Sequence, residues 1–175
     1  MSAPAPVIGI AGWKASGKTT LAVRLIAEFA RRGLQVASVK HAHHAFQIDA
    51  ADTDSARHRR AGARQVAIVS ARRWAVIREL GAAPEPDLQA VLAQLAPCDL
   101  VIVEGYKAAP IPKIEVRRLA AREHRALCAT DPRVIAIAAD HAVAEATVPT
   151  FALDDVAAIA EFISETLALP RPAQG

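Results

Sequence analysis

The chain has 175 residues, 53% of them hydrophobic but only 4% aromatic, with 2 cysteines and a formal net charge of +3. That length suits one domain burying about two thirds of its unfolded surface, and the aliphatic bias is that of an α/β core. Cys98 and Cys128 have no near partner of the CxxC kind, which excludes a disulfide framework or zinc knuckle and points to a reducing cytoplasm. The opening "MSAPAPVIGIAGWK" lacks the basic leader of a signal peptide, and no run of roughly eighteen apolar residues offers a membrane span.

In chain order, Val7 to Ala11 is a short apolar strand ending at a glycine-rich turn. Lys18 to Arg32 follows, with Leu21, Leu25, Ile26 and Phe29 at helical spacing, and Gly33 stops it. "LQVASVK" reads as a second strand, and "HAHHAFQIDAADTD" as a loop without sustained period. Asp52 or Asp54 is the expected cap of a helix running to about Ala61, with Gly62 as its stop. "QVAIVS" is a strand, and "RWAVIREL" a further strand or an irregular extension. "PEPDLQAVLAQLAP" reads as a helix opened near Asp87 and closed by Pro97. "DLVIVEGY" is the clearest buried strand. "IPKIEVRR", "RVIAIAAD" and "VPTFAL" follow as strands, and "DDVAAIAEFISETLAL" is a closing helix capped near Asp154. Strands alternating with helices predict right-handed crossovers and a mostly parallel, doubly wound sheet flanked by helices. A single domain is expected over 1–169, with a flexible tail over 170–175.

Gly12-x-x-x-x-Gly17-Lys18-Thr19 has P-loop spacing in the required place, after a strand and opening a helix. The glycines let the backbone curl so that successive N–H groups, including those of Ala15, Ser16 and Thr20, point at phosphate oxygens. The helix N-terminus adds partial positive charge, Lys18 reaches the outer phosphates and the Thr19 hydroxyl ligates Mg²⁺. Lys14 is a solvated side chain adding positive potential.

Ligands of open α/β sheets bind at the C-terminal ends of the strands. Asp99 and Glu104 stand at opposite ends of "DLVIVE", roughly 16 Å apart at a strand's rise per residue. Only Glu104 can reach the nucleotide if that strand runs parallel to the first, and Asp99 is then structural. Gly105 would let the chain turn near the phosphates, and Lys107 is either a second cation there or a surface lysine. His41, His43 and His44 lack the spacing of a zinc site. They read better as a basic, switch-like loop near the triphosphate, with Asp49 and Asp54 as candidates for the magnesium shell and helix capping as the alternative for Asp54. Asp140 ends a strand where a carboxylate can accept from the N1–H and amine of guanine, or can simply cap a turn. The basic clusters "KHAHHAF" and "SARHRRAGARQ" could face an anion, but no interleaved aromatics or reading module point to nucleic acid.

"GWKASGKTTL", "VKHAHHAFQIDAADTDSARHRRAGA", "DLVIVEGYKAAPIPKIEV" and "RVIAIAAD" with the closing helix together resemble the MobB family of molybdopterin-guanine dinucleotide biosynthesis, over nearly the whole chain. The resemblance implies a P-loop NTPase-like fold and a dimer that binds GTP with Mg²⁺. It implies weak intrinsic GTPase activity and an adapter role for the MobA-type guanylyltransferase that joins GMP to molybdopterin. By position it puts Gly12, Gly17, Lys18, Thr19 and Thr20 on phosphate and Glu104 at the metal end. Ala138-Ala139-Asp140 lacks the Asn/Thr-Lys-x-Asp form of many GTPases. The residues alone also admit a small-molecule kinase, with Asp49 or Asp54 as base and Arg57 and Arg60, at i, i+3 on one helix, as an anion clamp.

Overall fold

The computed structural model describes residues 4–42, 46, 48–50, 52–144 and 146–170. They form two compact units, one from 1–41 with 91–175 and the other from 42–90. Of the tail expected over 170–175, only Pro170 lies among the described residues.

The first unit is built on six parallel strands. They are β1 (Val7–Ala11), β2 (Val36–Lys40), β5 (Leu100–Glu104), β6 (Lys113–Arg117), β7 (Val134–Ala139) and β8 (Thr150–Ala152), in the order β2-β5-β1-β6-β7-β8. The short apolar runs are buried because both sheet faces are covered. On one face, Ile8, Ile10, Leu100, Ile102, Ile114, Val116, Ala136 and Ala138 meet helices α1 (Lys18–Arg31) and α4 (Val156–Thr166). Helical spacing brings Leu21, Leu25 and Phe29 of α1 and Ile159 and Ile163 of α4 to that face, and each such side chain contributes about 1.5–3 kcal/mol by leaving water.

On the other face, irregular chain lies over β6, held down by two charged side chains that are each 1% exposed. Lys113 Nζ donates to Ala109 O at 2.7 Å and to Asp131 Oδ2 at 2.8 Å. Glu115 accepts from the N–H groups of Leu127 and Cys128, each at 2.9 Å, and from Nε and Nη2 of Arg117, also at 2.9 Å. Alternation along β6 turns these two residues away from Ile114 and Val116, and hydrogen bonds offset the cost of burying their polar ends.

The second unit holds α2 (Asp54–Arg60) and an antiparallel pair, β3 (Gln65–Val69) and β4 (Trp74–Arg78). The strand expected from "QVAIVS" forms, and of the two readings of "RWAVIREL" the strand is found; the two pair with each other in a separate two-stranded sheet. Residues 70–73 form a tight turn, in which the Ser70 hydroxyl accepts from Arg73 N at 3.2 Å and donates to Arg73 O at 2.9 Å.

Three expected helix ends shift. Thr53, not Asp52 or Asp54, caps α2, accepting from Ala56 N, because its extended backbone turns the hydroxyl towards the first turn. Asp155, not Asp154, caps α4 through Ala158 N at 3.1 Å, since Asp154 is drawn to Arg24 on α1. Asp87 does open α3 (Leu88–Leu92), accepting from Ala90 N at 2.8 Å, but α3 ends well before Pro97.

Candidate functional site

Parallel pairing sets Ile10 and Lys40 each opposite Glu104, so the C-terminal ends of β1, β2 and β5 lie level. The chain leaving β1 curls through Gly12 to Gly17 and enters α1. Gly12 has φ 153°, and a Cβ there would lie 2.5 Å from Ser16 Oγ and 2.6 Å from the Val116 carbonyl, so only glycine fits between the loop and β6. Gly17, the N-cap of α1, has φ 95°, and Ala15 is also left-handed at 62°. Ser16 is buried, while Thr20 is an exposed residue of the first turn of α1.

The strand ends gather the two side chains expected at the metal. Thr19 Oγ1 donates to Glu104 Oε1 at 2.6 Å, and Lys40 Nζ stands 3.6 Å from Glu104 Oε2. Asp99, at the other end of β5, accepts from Gln35 N at 2.7 Å and so ties β5 to the start of β2. Gly105 follows Glu104 with φ 94° and packs against His41, whose ring lies 4.5 Å from that of Tyr106.

Lys18 folds back on its own loop, its Nζ donating to Trp13 O at 2.7 Å, a carbonyl that also accepts from Ser16 N at 3.2 Å. Burial lowers the Lys18 pKa below the usual lysine value, Lys107 and Lys40 lower it further, and Glu104 opposes them. Lys107 stands 3.8 Å over the Trp13 ring; burial lowers its pKa, Glu123 raises it and Arg125 lowers it. The Trp13 indole donates to Arg125 O at 2.7 Å, with the Arg125 guanidinium 5.2 Å from its ring. The loop thus carries a concentration of positive charge that an anion would relieve.

Asp140 follows β7. Its Oδ1 accepts from Leu119 N at 3.0 Å and lies 2.8 Å from His141 Nδ1, leaving acceptor capacity on Oδ2. The hydrogen bond from His141 is the main reason its carboxyl sits below the usual range.

Asp49, Arg57 and Arg60 belong to the second unit. The Asp49 carboxylate accepts from Arg59 and Ser55 within that unit. Arg57 stands 3.6 Å from Asp54, and Arg60 Nε donates to Ala56 O at 3.4 Å. His43 and His44 lie outside the described residues. Among the described residues, no group of three or more His, Cys, Asp or Glu side chains is gathered for a metal.

Sequence reasoning singled out neither Lys40 as a partner of Glu104 nor Arg118 beside Gly17, although a Cβ on Gly17 would lie 3.1 Å from Arg118 Nε. The only written trace of the second contact is the pair of arginines that ends "PKIEVRR".

Residues 7–140 match the family model described as MobB, molybdopterin guanine dinucleotide synthesis protein B. The molybdopterin-guanine dinucleotide biosynthesis adapter protein of Escherichia coli K12 is 35% identical over 162 residues, covering 91% of this chain and 92% of that protein. A crystal structure of molybdopterin-guanine biosynthesis protein B superposes with a TM-score of 0.69 at 32% identity, covering 92% of this chain and 99% of the other. Bacillus subtilis MobB superposes at 0.71 with 26% identity, covering 93% and 98%. Family model, relative and solved structures agree along the length of the P-loop NTPase-like sheet, and the chain belongs to the MobB family.

Proposed function

We propose that the chain binds GTP with Mg²⁺ in the Gly12–Thr20 loop and acts as a cytoplasmic, homodimeric adapter in molybdopterin-guanine dinucleotide biosynthesis, presenting the nucleotide to the guanylyltransferase. The observation that carries the nucleotide reading is the 2.6 Å contact between Thr19 Oγ1, in the first turn of α1, and Glu104 Oε1, at the end of β5. A hydroxyl and a carboxylate are hard oxygen donors suited to Mg²⁺, which takes few protein ligands and completes its shell with water and phosphate oxygens. Thr19 and Glu104 would hold the ion, which would offset the charge of the outer phosphates.

The chain's own residues do the holding. Lys18 exchanges the Trp13 carbonyl for an outer phosphate, and the backbone N–H groups of the loop and of the start of α1 take phosphate oxygens. Glu104 is engaged by Thr19 and Lys40, so it serves the metal side rather than acting as a base. Among the described residues no base or arginine is assigned to the outer phosphate, and hydrolysis is accordingly expected to be weak. Guanine is read, in this proposal, by Asp140.

The test is co-purification of the chain with the guanylyltransferase, with and without GTP, alongside labelled GTP, Mg²⁺ and candidate small-molecule acceptors. GTP-dependent capture that is lost in Lys18→Ala is the expected result. Stoichiometric phosphoryl transfer to an acceptor at ordinary kinase rates would replace the adapter reading with the kinase one.

A further inference from the structure

β6 lies beside β1 on the side opposite β5. On that side the loop borders a small pocket, partly open to solvent, whose lining includes Trp13, Ser16, Arg118, Glu123, Arg125 and His141. Two of its polar groups are oddly placed for a wall that faces nothing. Ser16 is 1% exposed, and its Oγ is buried without a hydrogen-bond partner. Arg118 Nε is also buried and unpartnered, close against Gly17. Buried polar groups are nearly always satisfied, and an exception asks for an explanation.

Charge sharpens the point. Among the described residues, Arg24, Arg32, Arg59, Arg117 and Arg133 each stand beside a carboxylate, but no ion pair is formed by Arg118. Its guanidinium instead lies beside the N-cap of α1, a helix of 14 residues, where the backbone already presents partial positive charge. Lys18 adds a full charge one residue on. Such a cation is repelled where it stands unless an anion lies between it and the helix end.

Strand order identifies which part of the ligand that anion is. Thr19 and Glu104 would hold the metal, and with it the outer phosphates, on the β5 side of the loop. The pocket is on the β6 side, so it faces the phosphate nearest the nucleoside. We infer that Arg118 is a nucleotide-binding residue which, with the Ser16 hydroxyl, holds the α-phosphate in this pocket. The inference rests on the nucleotide reading of the loop.

GTP and GDP share the α-phosphate, and this makes the test selective. Affinities of both for the full chain with Mg²⁺ are measured by calorimetry in wild type, Arg118→Ala, Arg118→Gln and Lys18→Ala, with melting curves as the folding control. In whichever Arg118 variant melts with the wild type, GTP and GDP should weaken by the same factor, about tenfold to a hundredfold, the worth of one charge-assisted hydrogen bond. Unchanged affinity for both nucleotides overturns the inference. Weakened GTP with unchanged GDP also overturns it, by moving Arg118 to the outer phosphate. Retained GTP binding in Lys18→Ala would instead bring down the loop reading itself, and this inference with it.

Discussion

Replacing Glu115 with Ala removes the carboxylate that fastens Leu127 and Cys128, in the segment after β6, onto the sheet. Four donors lose their acceptor together: Nε and Nη2 of Arg117 and the N–H groups of Leu127 and Cys128. The Arg117 side chain is only 17% exposed, so its charge stays largely dehydrated without its counter-ion. Breaking a buried pair by removing one partner typically costs about 3–5 kcal/mol. In a chain of this size each kcal/mol moves the melting temperature by about 2–4 °C, which puts the expected drop on the order of 10 °C. Thermal melts followed by circular dichroism read this directly, and a drop below about 2 °C would refute the clamp. Acid gives a second check. Burial pushes the Glu115 carboxyl up, but Arg117 and the two N–H groups outweigh it and hold the pKa below the usual value. Its contribution is therefore present above the ordinary carboxylate range and lost as pH falls through the lowered pKa, a component of acid sensitivity that Glu115→Gln should lack.

Glu104→Gln should weaken magnesium-dependent GTP binding several-fold more than Asp99→Asn, because only Glu104 meets Thr19; the opposite order in a Mg²⁺ titration would displace the metal site. Asp140→Asn should erode any preference for GTP over ATP, and an unchanged affinity ratio removes its role in reading the base. Lys18 has a pKa below the usual lysine value in the free protein, and a phosphate partner would raise it. GTP affinity should accordingly be flat below the free-state pKa and fall as pH rises above it, so affinity that increases with alkalinity would contradict a phosphate contact by Lys18.

The phosphate loop and α1 were legible because both signals are local: a glycine spacing and a helical period lie within a few turns of chain. Glu104 was legible through one assumption, that its strand runs parallel to β1, and the pairing of Ile10 with Glu104 bears that assumption out. Arg118 was not legible, because its place beside Gly17 depends on the stagger between β1 and β6, which pairs Ala11 with Glu115 across a hundred residues of sequence. Lys113 and Glu115 gave no sign of their burial for a related reason. "PKIEVRR" alternates like a half-exposed strand, and only the irregular chain lying over that face turns its charged side inward. β3 and β4 were each visible as apolar runs, but strand-forming residues do not say which strand will be the partner.

The Lys18 bond to the Trp13 carbonyl has a practical sequel. The chain has 2 tryptophans, and one sits in the phosphate loop with its indole hydrogen-bonded to Arg125 O and a lysine ammonium 3.8 Å above its ring. Any ligand that draws Lys18 off the Trp13 carbonyl disturbs the backbone of the residue that fluoresces. The other tryptophan, Trp74, is 72% exposed in the hairpin and should emit at longer wavelength, close to an indole in water. The loop therefore carries its own optical probe: the blue part of the emission should follow loop occupancy in a stopped-flow trace without any label.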